Sequence, residues 1–217
     1  MVLNFPPVES ADESGLLAMG GDLDVETLLL AYCSGIFPWP YENEPILWFA
    51  PPLRAIIKFA DFRIPSRLQR YLRQAKFQWQ VDRDFAAVIK ACAQSKRRKG
   101  QQGTWITDEI IQAYIEFHNY GYAHSFEAYN ENGELVAGLY GVLIGKYFAG
   151  ESMFYQETHA SKFVLIETVN YLKKKGVTWM DVQIISPLLE SFGAIEIPRA
   201  DFMAELKKAI RYPVNEK

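Results

Sequence analysis

Ala123-His124-Ser125-Phe126-Glu127-Ala128-Tyr129, then Asn130-Glu131-Asn132-Gly133, then Glu134-Leu135-Val136-Ala137-Gly138-Leu139-Tyr140-Gly141-Val142-Leu143 is the run on which the fold turns. Residues 123–129 alternate as a half-buried strand does. Asn-Glu-Asn-Gly is turn chemistry, so residues 134–143 return as the hairpin partner. Gly145-Lys146 makes a second turn into a third strand, Tyr147-Phe148-Ala149-Gly150-Glu151-Ser152-Met153-Phe154. Beyond it, Leu165, Thr168, Val169 and Leu172 share one face of a helix over residues 159–175. Lys173-Lys174-Lys175 complements the negative end of that helix and Gly176 stops it. Residues 178–183 form the next strand.

Upstream the pattern is mixed. Residues 24–34 read as a short helix with Val25, Leu28, Leu29 and Tyr32 at helical spacing, capped by Asp22 or Asp24 and stopped by Gly35. Pro38, Pro40 and Pro45 force an extended path into the strand Ile46-Leu47-Trp48-Phe49, and Pro51-Pro52 breaks it. A basic helix follows Pro65, a second covers residues 85–93, and a third covers 108–120 before Gly121. Helix, three-strand meander, helix, strand is the order found in N-acyltransferases that use acetyl-CoA. The expected fold is therefore α+β: a small N-terminal α/β domain (residues 1–60) followed by an acyl-CoA N-acyltransferase-like (GNAT-like) mixed sheet flanked by helices (residues 61–217). A coenzyme A site needs a glycine-rich turn before the helix that follows the meander, so that backbone N–H groups cradle a pyrophosphate. Tyr155-Gln156-Glu157-Thr158-His159 has no glycine and carries an acid, which points to a different activated acyl group.

A chain of 217 residues buries a good core. Two cysteines, Cys33 and Cys92, and no N-terminal apolar run fit a reduced, cytoplasmic protein, and no stretch is long and apolar enough to span a membrane. Net charge is −3, but its distribution is lopsided: residues 1–53 hold eight acids and no Lys or Arg, whereas residues 54–99 hold thirteen bases against three acids. Arg67, Arg70, Arg73 and Lys76, with Lys96-Arg97-Arg98-Lys99, are either solvated surface or a polyanion footprint. His118, His124 and His159 lack ligand-like spacing with the cysteines, so no metal is expected, and no Gly-x-Ser-x-Gly or phosphate loop is present.

Three peptides are chemically odd for a core: Gly35-Ile36-Phe37-Pro38-Trp39, Gly103-Thr104-Trp105-Ile106-Thr107, and Gly150-Glu151-Ser152-Met153-Phe154, followed by Asp181-Val182-Gln183. Acids inside strands and tryptophans in turns are costly features that folding alone does not ask for. With Gly15-Leu16-Leu17-Ala18-Met19-Gly20-Gly21-Asp22-Leu23, their order and spacing resemble the leucyl/phenylalanyl-tRNA–protein transferase family, over residues 3 to 199. Those enzymes move a bulky apolar amino acid from its tRNA to the N-terminal Arg or Lys of a protein. The resemblance implies aminoacyl-tRNA carrying Leu, Phe or Met as donor and such proteins as acceptors, marked thereby for degradation by the N-degron route. It implies no diffusible cofactor and turns the reading of the basic residues toward tRNA backbone. A monomer is the default expectation.

Transfer from an ester to an amine asks the protein to align a neutral amine, manage one proton and stabilise an oxyanion. Asp181 at a strand end either caps a loop, pairs with a lysine, or serves that reaction. Gln183, two residues on, is expected on the same side of the strand, so the carboxylate could polarise an amide facing the amine. The resemblance implies this relay and makes Asp181 and Gln183 catalytic. It turns Glu151, otherwise a partner for a core-edge lysine, toward the site. Leu139, Phe148, Leu165, Thr168, Leu172 and Met180 match its donor side-chain pocket, though plain core suits each equally. Thr168 and Leu172 stand where aromatics are expected, which implies a wider pocket. Trp39 and Trp105, with Tyr114 as a further candidate, would stack on the tRNA's 3′ adenine; tryptophans in turns also serve as core lids. The chain departs from the pattern at Ser186-Pro187-Leu188, where an Asn or His is usual, and at Val182, where a Cys is common. Rival readings are an acyl-CoA N-acyltransferase, a non-catalytic tRNA-binding protein, and transfer from aminoacyl-tRNA onto cell-wall peptides.

Overall fold

The computed structural model describes residues 4–39, 44–95 and 105–211. Among them the chain runs β1 (Leu16–Met19), α1 (Val25–Cys33), β2 (Phe37–Pro38), β3 (Leu47–Phe49), β4 (Leu53–Lys58), α2 (Ser66–Leu72), β5 (Gln78–Val81), α3 (Phe85–Gln94) and α4 (Asp108–Asn119). It continues through β6 (Ala123–Tyr129), β7 (Leu135–Ile144), β8 (Tyr147–Tyr155), α5 (Ala160–Lys174), β9 (Trp179–Gln183), α6 (Pro187–Ser191), β10 (Ile195–Pro198) and α7 (Arg199–Ile210).

The meander forms as its sequence dictates. Asn130 closes the first hairpin: its side-chain oxygen accepts from the backbone N–H of Asn132 and of Glu134, and Gly133 takes the left-handed conformation. Helix starts are fixed by short polar caps, with Asp84 accepting from Ala87 N–H for α3 and Thr107 from Ile110 N–H for α4. At α1 the carboxylate of Asp22 accepts from Asp24 N–H and the Thr27 hydroxyl, so it braces the first turn from outside while Asp24 stands at the N-cap.

Two sheets result. β1, β3 and β2 make a small antiparallel sheet in that order, and the large sheet runs β10-β4-β9-β8-β7-β6-β5. Strand β4 lies in the large sheet between β10 and β9, so residues 53–58, assigned from sequence to the N-terminal unit, are built into the second one. Helices cover both faces. One apolar layer joins α1, α3, α4 and α7 through Leu28, Tyr32, Val88, Tyr114, Phe117 and Phe202. The other joins α2 and α5 through Leu68, Val164, Val169 and Leu172, over Phe126 and Phe148. This is the expected α+β architecture, a mixed sheet flanked by helices.

Two departures from ladder regularity create the site. Strands β8 and β9, joined by α5, are the parallel pair of the large sheet, and they share a single partnered position, Ala149 with Asp181. Beyond it they diverge. Each also carries a bulge there: Gly141 and Tyr140 face Gly150 and Ser152, leaving Glu151 as the extra residue of β8. Ile56 and Ala55 face Asp181 and Gln183, leaving Val182 as the extra residue of β9. A bulge re-aims the side chains around it.

Candidate active site

The gap between the diverging strands is a cavity of about 790 Å³. It passes from one helical layer to the other. Phe37, Trp39, Cys92 and Trp105 line it on the α1/α3/α4 side; Leu139, Leu165, Met180 and Val182 line it on the α5 side; Glu151 and Gln183 lie among the residues that line it too. Ile184, Ile185, Ser186 and Leu189 make a further wall, with Ile184 exposed.

The two polar residues are linked directly. Gln183 Nε2 donates to Glu151 Oε1 at 2.9 Å, and the Tyr32 hydroxyl also hydrogen-bonds the Glu151 carboxyl. Tyr32 in turn shares a short hydrogen bond with the Tyr114 hydroxyl. Burial pushes the Glu151 carboxyl up to about 8, with the Tyr32 bond working against it and the charge of Asp181 adding to it. Gln183 has a φ of 54°, a left-handed conformation that a non-glycine residue holds only when its surroundings impose it.

What imposes it is Asp181. This carboxylate is fully buried and takes four hydrogen bonds: Oδ1 accepts from Arg54 Nε at 2.9 Å and from the backbone N–H of Gln183 at 2.9 Å, and Oδ2 accepts from Arg54 Nη2 and the Tyr147 hydroxyl, both at 2.7 Å. Arg54 is equally buried, sandwiched between the rings of Phe37 and Phe202 at 4.5 and 4.6 Å, and Nη1 reaches the Gly35 carbonyl at 3.3 Å. Burial works to strip the guanidinium of its proton, and the adjacent Asp181 outweighs it, so its pKa is raised. A carboxylate with this many donors is an anchor.

The expected relay is therefore corrected. Asp181 reaches Gln183 through its backbone N–H, and the Gln183 side chain is turned to Glu151, because the Val182 bulge and the left-handed Gln183 break the two-residue alternation. Tyr114 is also corrected: its ring is fully buried against Phe117 and Tyr140, which leaves no face for a base. Trp39 and Trp105 are half-buried, line the cavity and stack on each other, with centroids 5.5 Å apart.

Of the six pocket residues, Leu139, Leu165 and Met180 line the cavity. Phe148, Thr168 and Leu172 do not; all three are fully buried in the core. Thr168 donates to the Val164 carbonyl at 2.8 Å, and Phe148 packs edge-on to Phe126. Positions 168 and 172 sit one and two turns beyond Leu165 along α5, on the same stripe but past the cavity. Sequence reasoning missed Arg54, whose signal was a charge between Leu53 and the apolar run Ala55-Ile56-Ile57, and it missed Cys92, Met153 and Leu189 as lining residues, which carry no chemical mark.

The basic residues divide. Arg67, Arg70 and Arg73 are exposed on or just beyond α2, whose Tyr71 packs edge-on to His159 at the start of α5. Lys76 is exposed and paired with Glu131 at 2.8 Å. Lys96, Arg97, Arg98 and Lys99 lie outside the described residues.

Two family models match the chain: the leucyl/phenylalanyl-tRNA protein transferase N-terminal domain over residues 21–52, and the leucyl/phenylalanyl-tRNA protein transferase proper over residues 56–207. The chain belongs to the leucyl/phenylalanyl-tRNA–protein transferase family. A relative so named from Pseudoalteromonas atlantica is 46% identical over 216 residues, 99% of this chain and 91% of that one. Another, from Flavobacterium johnsoniae, is 47% identical over 205 residues, 94% of this chain and 96% of that one. Among solved structures, FemX matches with a TM-score of 0.51 at 12% identity, over 80% of this chain and 66% of that one, which is a likeness of fold. The matched span of this transferase family takes in Glu151, Asp181, Gln183 and Arg54's partner Phe202, while Trp39 falls in the N-terminal match.

Proposed function

We propose that the protein transfers Leu, Phe or Met from aminoacyl-tRNA to the N-terminal α-amine of proteins that begin with Arg or Lys, as a cytoplasmic monomer that marks its acceptors for degradation. The observation that carries this reading is the cavity through the splayed strands, with an indole pair at one side, an apolar slot at the other and the Glu151–Gln183 pair among its walls. The terminal adenine of the tRNA stacks on Trp39 and Trp105, and the donor side chain fills the slot made by Leu139, Leu165 and Met180. Its ester carbonyl then lies near Glu151.

Glu151 is the proton acceptor in this reading. A free α-amine titrates at about 7.7 to 8, and the Glu151 carboxyl at about 8, so the proton passes between them at little cost. As the neutral amine attacks, a C–N bond forms, the ester C–O bond breaks, and the tRNA leaves with its hydroxyl reprotonated. Gln183 orients Glu151 through the 2.9 Å bond. Arg54 and Asp181 hold Gln183 in place and do not exchange protons with substrate. Arg67, Arg70 and Arg73 meet the tRNA backbone, with Lys76 and the stretch 96–99 as further candidates.

The test is transfer of labelled Leu from leucyl-tRNA to matched peptides beginning with Arg, Lys, Asp, Glu or Ala. Product with Arg and Lys alone supports the reading. Product with Asp or Glu would move acceptor choice to the altered 186–188 loop, and no product with any peptide would refute transfer.

A further inference from the structure

The divergence of β8 from β9 leaves the two strands in different states. β9 satisfies itself: past Asp181, the Gln183 N–H is held by the Asp181 side chain and the Ile184 N–H by the Val182 carbonyl at 2.7 Å, while the outer edge of β9 pairs with β4. β8 does not. Residues 152–155 pair with β7 on one side, Ser152 with Tyr140 through to Tyr155 with Ala137, and among the described residues have no ladder partner on the other. In an antiparallel pair every second residue turns its N–H and C=O away from its partner. Those groups of residues 152–155 face away from β7, and at Ser152 and Met153 the strand lines the cavity. The edge is open inside the site, with Tyr155 exposed at its outer end.

We propose that the acceptor polypeptide docks here by main-chain addition, its first residues running as a short strand along the open edge of β8. This rests on the transferase reading above. The occupant follows from continuity with Glu151. An α-amine delivered to that carboxyl starts its chain at the apex of the splay, where the strands meet at Ala149 and Asp181, and the way out is along residues 152–155. The chain leaves in the direction of β8, so the pairing is parallel. At about 3.3 Å per residue, the edge from Glu151 to Tyr155 spans about 13 Å, or four acceptor residues. Recognition through N–H and C=O groups gives affinity without demanding particular side chains after the first residue, as in other strand-addition complexes. An unpaired edge inside a site otherwise leaves its N–H and C=O groups to water.

The experiment is an N-methyl scan of the acceptor with the full-length protein. Pentapeptides beginning with Arg, each carrying one N-methyl group on the amide nitrogen of residue 2, 3, 4 or 5, are assayed with leucyl-tRNA. Methylation removes a donor and blocks close approach, so KM should rise tenfold or more at alternate positions within residues 2–4, with kcat at saturation changed less than twofold and residue 5 indifferent. A length series from dipeptide to hexapeptide should gain affinity up to about the fourth residue and then level off. A flat methyl scan, or one that decays smoothly with position and shows no alternation, overturns the proposal. Failure of the parent Arg peptide to accept leucine would instead refute the transferase reading on which it rests.

Discussion

Replacing Glu151 by Gln should make the protein more resistant to unfolding above neutral pH while disabling transfer. In the folded protein the Glu151 carboxyl holds its proton to about 8 against 4.5 in the unfolded chain, because burial disfavours the carboxylate. Between those values the native state keeps a proton that the unfolded chain has released. The stability this contributes is fully present below about pH 4.5, falls as pH rises, and is gone above about pH 8. At 1.36 kcal/mol per pH unit the span corresponds to at most about 5 kcal/mol, and water drawn toward the ionised group reduces it. Gln has no proton to lose and keeps an oxygen to accept from Gln183 Nε2 and the Tyr32 hydroxyl. Urea unfolding of both proteins at pH 5, 7 and 9 measures the difference. The variant should gain on the wild type by at least about 2 kcal/mol between pH 5 and 9, and its transfer rate should fall by about a hundredfold or more, in line with loss of general-base catalysis. An offset that is the same at all three pH values would refute the argument that a buried, protonated Glu151 is part of the folded state.

Asp181→Asn leaves the Arg54 guanidinium buried without its counter-charge, and should cost about 3 to 5 kcal/mol in denaturant unfolding. Its transfer rate above about pH 9, where the acceptor amine is neutral in every variant, should nevertheless fall far less than the roughly hundredfold expected for Glu151→Gln; an equal loss at that pH would reinstate Asp181 as the base. Trp105→Ala should raise KM for aminoacyl-tRNA by about 5- to 150-fold, the worth of one stacked base, with the acceptor KM unchanged, as steady-state kinetics on both substrates would report. Thr168→Val should leave the ratio of Leu to Phe transfer within about twofold while Met180→Ala shifts it several-fold, since a buried methylene is worth roughly 0.8 kcal/mol and Met180, unlike Thr168, lines the slot. Arg70→Glu should weaken tRNA binding and lower the slope of log affinity against log salt, by about one or two phosphate contacts.

The meander was legible in the sequence because turn chemistry and strand alternation agree there, and Asn130 and Gly133 do in the structure what their types suggest. β4 was not. It is buried on both faces, so it has no alternation, and Arg54 within it reads as one more cation of a basic stretch. β5 and β10 were missed as short edge strands with largely exposed faces. At the site, Glu151, Asp181 and Gln183 stood out in the sequence by type, and the structure joins Asp181 to Gln183 and Gln183 to Glu151 by hydrogen bonds. Their connections were misjudged, because period-two reasoning assumes a regular ladder and both strands bulge at these residues. Helical periodicity likewise identified the stripe of Leu165, Thr168 and Leu172 but not where along α5 the cavity ends. Tyr114 shows the same limit: its type suits stacking, and only packing reveals that its hydroxyl is spent on Tyr32.

The Arg54 clasp also joins parts of the chain that are made far apart in time. Arg54 leaves the ribosome early, with Phe37 and the Gly35 carbonyl already at hand, but its counter-ion lies 127 residues downstream and its second aromatic plate, Phe202, later still. Until those arrive, the small N-terminal sheet that carries Trp39 has only part of its seating, and Gln183 has nothing to hold its backbone. Domains generally fold as units during synthesis. Here the two halves of the centre are tied by one guanidinium, so the clasp is complete only when Gly35, Phe37, Asp181 and Phe202 are all in place.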